Sequence, residues 1–196
     1  MTTRRVFCTA LCGVIVIVQA ISGNAFAQCG KERWAIKDLN DREATEINFT
    51  PLTRRVEQLL ALPMVKPRSS DSRRPPELRV YRVRCEIVKY KLEDDGDIHL
   101  VIQDPDDPSM HMVAEIPSPA CPDAIAGGHA AEYKAARDAM YALFADHPPA
   151  KRMKAVVPPR FVEITGPGFY DFPHHQTGAA PNNLEIHPVL SLKTVQ

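Results

Sequence analysis

The chain has 196 residues with 24 basic and 24 acidic side chains, so its formal net charge is zero. That balance excludes a global basic field, and with it non-specific nucleic-acid binding driven by net charge. Its 18 prolines interrupt helices, and so favour loops and short strands over a helical bundle.

Residues 1–27 read as a secretory signal peptide. Arg4 and Arg5 supply the positive start, residues 6–21 are apolar apart from Thr9 and Gln19, and Ala25-Phe26-Ala27 offers the small-x-small pattern of a cleavage site. The apolar run of about sixteen residues is shorter than the roughly 20 that a spanning helix needs. Cleavage after Ala27 is therefore expected, with no membrane span afterwards and a secreted or periplasmic location. Gln28 before Cys29 provides no lipobox.

Cys8 and Cys12 leave with the signal, and Cys29, Cys85 and Cys121 remain. Three cysteines in an oxidising compartment imply one bridge and one odd thiol, and sequence alone does not fix the pairing. The expected bridge is Cys85–Cys121, because each lies in or beside a predicted core strand. No CxxC-like spacing supports a zinc–thiolate site.

Residues 28–77 form an N-terminal segment. Thr50 is placed to N-cap a helix with Pro51 in its first position, and Leu52, Val56, Leu59 and Leu60 then fall on one stripe. Pro63 ends that helix. Residues 64–77, rich in Pro, Arg and Ser, read as a surface linker.

From residue 78 the period changes to two. Tyr81, Val83, Cys85 and Ile87 share one face, then the phase slips and Val88, Tyr90 and Leu92 continue on the other parity. A slip inside a long strand predicts a bulge or sharp coil. Asp94-Asp95-Gly96-Asp97 makes a turn, Ile98, Leu100 and Ile102 a second strand, and Met110, Met112, Ala114 and Ile116 a third. Residues 129–145 read as a helix with Tyr133, Ala136, Met140, Leu143 and Phe144 along one side. Phe161, Val162 and Ile164 suggest a fourth strand, and residues 184–192 a fifth. The expected class is mostly β: a five-stranded OB-fold-like Greek-key barrel over residues 78–196, with a helix between strands three and four and an N-terminal helix before it.

Two stretches carry a resemblance. One is Asp95-Gly96-Asp97-Ile98-His99-Leu100-Val101-Ile102 with Ala114-Glu115-Ile116-Pro117-Ser118-Pro119-Ala120-Cys121. The other is Gly166-Pro167-Gly168-Phe169-Tyr170-Asp171, then His175-Gln176-Thr177-Gly178, Ala180-Pro181-Asn182 and Glu185-Ile186-His187-Pro188-Val189-Leu190. Together they resemble a group of uncharacterised exported bacterial proteins with an OB-fold-like core, which implies family and fold and no particular activity. A weaker similarity is to the staphylococcal-nuclease class of OB-folds. In that class an Asp-Gly-Asp turn and an acidic-x-Pro after the third strand supply calcium ligands, so Asp97 and Glu115 are implied as metal ligands. The match departs at Ser118-Pro119, where a second acidic residue is missing, and at Met110 and His111, where the class has an arginine.

Strand parity adds a second line. Asp97 and His99, His111 and Glu115, and Glu185 and His187 each share a face, and strand three of such a barrel neighbours both strands two and five. His99, His111, Glu115, Glu185 and His187 are thus expected on one patch. Imidazole with carboxylate binds zinc or another divalent ion, or runs acid–base chemistry near neutral pH. Outward strand positions are also commonly polar with no function. The loop over residues 169–183 is long for so small a domain. It offers His175 as base or ligand, Asp171 to orient it, and Gln176 and Thr177 as ligand contacts. An Ω-loop satisfying its own backbone is the structural alternative.

The sequence therefore predicts a secreted or periplasmic binding module for a small ligand, an ion or a cell-envelope component, with His175, Gln176, Thr177, Glu185 and His187 at its surface. The alternative is a metal-dependent hydrolase of phosphodiesterase type, with Asp97 and Glu115 near a divalent metal and His175 as base. No Gly-x-Ser-x-Gly, phosphate loop or dinucleotide fingerprint is present.

Overall fold

The computed structural model of the protein describes residues 29, 30, 32–173 and 176–195. The signal peptide and its cleavage site lie outside these, as does His175. Among the described residues no helix is long and apolar enough to cross a membrane.

The chain is mostly β, with one seven-stranded mixed sheet. A short helix α1 (Trp34–Lys37) precedes strand β1 (Asn48–Arg54) and helix α2 (Val56–Leu60). Strands β2 (Arg79–Leu92), β3 (Ile98–Gln103) and β4 (His111–Ile116) follow as an antiparallel meander. Helices α3 (Pro122–Ala126) and α4 (Ala130–Leu143) lead to β5 (Lys154–Tyr170), β6 (Leu184–Ile186) and β7 (Ser191–Thr194).

The pairings run β2–β3–β4–β6–β5, with β4 and β6 parallel, and β5 pairs back onto β2 from Val80 to Tyr90. β1 lies parallel to the first half of β2, and β7 pairs antiparallel with β5 from Val162 to Thr165. The phase slip in β2 is a register shift between Ile87 and Lys89, seen against both β3 and β5. It lets Tyr81, Val83, Cys85 and Ile87 on one side of the shift, and Tyr90 beyond it, all enter the core. On α4 the residues Ala136 and Met140, with Phe144 just past its end, join that core, while Tyr133 packs with Trp34, Cys121 and Ala124 in a satellite cluster. At Gly166 the backbone of β5 runs against the carbonyl of Pro188, leaving no room for a side chain.

Three sequence expectations are corrected. Residues 48–54, expected to open a helix at Thr50 and Pro51, form β1 instead, and the helix begins only at Val56. Parallel pairing with β2 satisfies backbone groups that the helix would have used, and Gln58 accepts from the Arg55 N–H at 3.0 Å to start α2. The region expected as a fifth strand over residues 184–192 is divided into β6 and β7. The disulfide is Cys29–Cys121, not Cys85–Cys121. Cys85 is a wholly buried free thiol in the main core on β2, whereas Cys121 belongs to the satellite cluster with Trp34. A bridge of this kind points to an oxidising compartment.

The segment before β2 is pinned rather than free. The Arg33 guanidinium meets both oxygens of Glu77 at 2.7 and 3.1 Å and donates to the Tyr170 carbonyl at 2.7 Å. The Tyr170 N–H donates to Glu77 at 3.0 Å. Arg73 donates to Asp41 and to the Ile36 carbonyl.

Candidate functional site

The turn at Asp95-Gly96-Asp97 ends with the Asp97 side chain folded inward, where its Oδ1 accepts from the Ser118 N–H at 2.9 Å. Two residues on, His99 of β3 stands directly across from Glu115 of β4. The parallel pairing of Ala114 with Ile186 sets Glu185 and His187 beside the same strand. Asp97, His99, Glu115, Glu185 and His187 are all at most 5 % exposed, so they are not the half-solvated outer face that a plain polar strand presents.

Glu115 is the hub. Its Oε1 lies 3.0 Å from His99 Nδ1, and its Oε2 lies 3.0 Å from His187 Nδ1. The far nitrogen of His187 is 3.8 Å from Asp97 Oδ2. Lys37, projecting from α1, places its ammonium 3.6 Å from Glu115 Oε2 and over the Phe169 ring. His99 Nε2 meets the Thr177 carbonyl at 3.0 Å, and Gln176 donates to Glu185.

Electrostatics follow from this crowding. Burial opposes the charge on Glu115, but Lys37, His187 and His99 outweigh it and hold the carboxyl well below its usual range. Burial, reinforced by Asp95 and Glu115, pushes Asp97 well up, and burial with Glu115 and Asp171 does the same to Glu185. Burial lowers His187 despite Glu115. At His99 burial also opposes the charged ring, but Glu115 outweighs it and the pKa rises. Burial opposes the Lys37 charge too, yet Glu115, Asp171, Glu185 and Asp97 together raise its pKa.

The cluster retains unsatisfied atoms. Among the described residues, Asp97 Oδ2, Glu185 Oε2 and both ring nitrogens of His187 are buried without a hydrogen bond. The His187 Nδ1 lies 3.0 Å from Glu115 Oε2 all the same, so the carboxylate and the ring bear on each other's charge. Each buried polar group left unmade costs about 1–3 kcal/mol, against a whole-domain stability of about 5–15 kcal/mol. Four such atoms in one place are a large outlay for a purely structural feature.

A cavity of about 520 Å³ opens beside the cluster, lined by Trp34, Lys37, Glu93, Asp95, Glu115, Asp171 and Gln176 among others. Two triads could hold a metal ion, Asp97–Glu115–His187 and Glu93–His99–Glu115, each with its ligand atoms within 4.8 Å of one another. Imidazole with carboxylate suits zinc and its neighbours better than calcium or magnesium, which prefer all-oxygen sites.

The structure thus brings together Asp97, Glu115, Asp171, Gln176, Glu185 and His187. Thr177 contributes its backbone carbonyl rather than its hydroxyl. His111, expected on the same patch, is corrected: it is exposed at the far end of β4, where its ring lies 3.1 Å from the Ser109 carbonyl, because the strand carries it four residues from Glu115. Lys37, Trp34 and Glu93 were missed. The first two lie on a segment without periodicity, and Glu93 reads as part of an acidic turn. Compared with known proteins, the chain matches no family model, no curated protein and no solved structure.

Proposed function

We propose that this is an exported, OB-fold-like binding module whose buried Asp97–Glu115–His187 site takes a divalent transition-metal ion, zinc being the reference case. The observation that carries the reading is the His187 ring. It is wholly buried between two carboxylates, 3.0 Å from Glu115 and 3.8 Å from Asp97, with no hydrogen bond to either nitrogen among the described residues. A cation at that point converts mutually repelling acceptors into ligands and removes the desolvation cost of Asp97. The barrel is supported by the ring of pairings from β2 through β3, β4, β6 and β5 back to β2, and by α4 lying between β4 and β5 in the chain. Export is supported by the sequence of residues 1–27 and by the Cys29–Cys121 bridge.

A second reading, a metal-dependent phosphodiesterase, is favoured by the cavity, whose 520 Å³ exceeds what an ion needs. In that reading an ion held by Glu115 and Glu93 at the cavity would supply Lewis acidity toward a phosphoryl oxygen, and Asp171 or Gln176 would contact the substrate. Hydrolysis of a chromogenic phosphodiester by the zinc-loaded protein separates it from pure binding.

The test of the main reading is competition with a chromophoric chelator. Zinc is expected to bind stoichiometrically, and His187→Gln and Asp97→Asn to weaken it at least tenfold. Zinc retained with unchanged affinity in both variants overturns the site, and no zinc binding overturns the function.

A further inference from the structure

We propose that the cavity holds not one ion but a two-ion centre bridged by Glu115. One divalent ion is held by Asp97, His187 and Glu115 Oε2, and the second, nearer the mouth, by Glu93, His99 and Glu115 Oε1. This rests on the divalent-ion reading above and extends it to the number and arrangement of ions.

The two oxygens of Glu115 face two different imidazoles. Oε1 is 3.0 Å from His99 Nδ1 and Oε2 is 3.0 Å from His187 Nδ1. Glu93 Oε1 approaches the same His99 Nδ1 at 3.4 Å. Ligands on a tetrahedral zinc with bonds of about 2.0–2.2 Å stand roughly 3.3–3.6 Å apart. The His99 triad is therefore already close to coordination spacing before any ion enters.

The tautomer of His99 sharpens the point. The Thr177 carbonyl at 3.0 Å from Nε2 only accepts, so Nε2 carries the hydrogen. Nδ1 then faces Glu115 Oε1 and Glu93 Oε1, with a proton on it in the charged ring and a lone pair in the neutral one. Three acceptors converging in this way repel unless a proton or a cation lies among them. A backbone carbonyl on the remote N–H is also the usual outer support of a metal-bound histidine.

The unbonded His187 ring and Asp97 Oδ2 mark the inner position independently. An ion there ligates Asp97 Oδ2 and one ring nitrogen of His187, and leaves Glu93 and His99 as a second ligand set that shares only Glu115 with the first. Glu93 lines the cavity while Asp97 and His187 lie behind its wall, so the outer ion alone has open positions toward a ligand. Glu93 Oε1 is held meanwhile by Lys91 at 2.9 Å, a partly exposed ammonium that an ion displaces. Paired ions sharing a carboxylate sit about 3.5–4 Å apart, which suits an oxyanion bound across both.

The experiment is metal stoichiometry on the purified, metal-stripped protein with zinc, followed by electron paramagnetic resonance at saturating Mn²⁺. Two zinc ions per chain and an exchange-coupled manganese spectrum are expected. Glu93→Gln, a conservative change at a partly exposed residue, is expected to leave one zinc and an isolated six-line manganese signal, with the thermal midpoint of the metal-free protein unchanged. One zinc in the parent protein, unaffected by Glu93→Gln, overturns the second position while leaving the first. Two ions without exchange coupling overturn the Glu115 bridge. No ion at all overturns the reading on which this one rests.

Discussion

Lys37 Nζ stands 3.6 Å from Glu115 Oε2, so an ammonium from the N-terminal segment occupies the entrance of a cluster built by β3, β4 and β6. It is the cluster's own counter-ion, and it competes with any metal for Glu115.

Lys37→Met is therefore expected to act in two directions. Removing one partner of a buried ion pair costs about 3–5 kcal/mol of metal-free stability. The same change removes repulsion toward a divalent ion, so zinc affinity rises by about tenfold or more, the effect of roughly 1.4 kcal/mol. Urea unfolding with chelator and with zinc checks both. Equal destabilisation in the two conditions contradicts the competition.

Asp38 supplies a pH prediction. Its carboxylate is buried with neither oxygen hydrogen-bonded among the described residues. Burial, then Asp123, pushes its pKa up to about 7. A carboxyl raised in the folded state above its unfolded value favours folding in its neutral form. Its contribution is thus intact below about pH 4 and is lost as pH rises through about 7. Asp38→Asn is expected to leave the urea midpoint at pH 4 unchanged and to raise stability at pH 8 by a few kcal/mol, since each tenfold change in proton affinity is worth about 1.36 kcal/mol. A variant no more stable than the parent at pH 8 refutes this.

The thiol chemistry separates the cysteines. Non-reduced peptide mapping is expected to recover a Cys29–Cys121 peptide, and Cys29→Ser to cost about 2–5 kcal/mol. Burial raises the Cys85 thiol strongly, so alkylation at Cys85 is expected only after unfolding. A Cys85-containing disulfide peptide from native protein contradicts the assigned pairing.

Arg33 and Glu77 make a fourth case. Both side chains are fully buried, and Glu77 also receives the Tyr170 N–H. Glu77→Gln leaves the guanidinium uncompensated and is expected to cost about 3–5 kcal/mol, whereas Arg82→Gln, at the partly exposed Arg82–Glu163 pair, costs less than about 1 kcal/mol. Thermal unfolding of the two variants decides it, and equal losses contradict the ranking.

The legible part of the fold was the part with local periodicity. Alternation at Tyr81, Val83, Cys85 and Ile87 places β2, and its slip places the register shift, because burial of one face imposes period two on the sequence. The stripe Tyr133, Ala136 and Met140 places α4 for the same reason. At Thr50-Pro51 a local capping signal lost to long-range pairing with β2, which no short window contains. The site was half legible. Parity grouped His99, Glu115, Glu185 and His187, but their burial was hidden, since the segment whose Lys37 reaches Glu115 is remote from it in sequence. The disulfide was misassigned for the same reason, with a sequence separation of 92 between Cys29 and Cys121.

The most direct measurement is anomalous diffraction at the zinc edge from crystals of the purified protein equilibrated with zinc. The account predicts a peak within coordination distance of Asp97, Glu115 and His187. Anomalous peaks confined to surface histidines such as His111 or His129, with none at Glu115, contradict it.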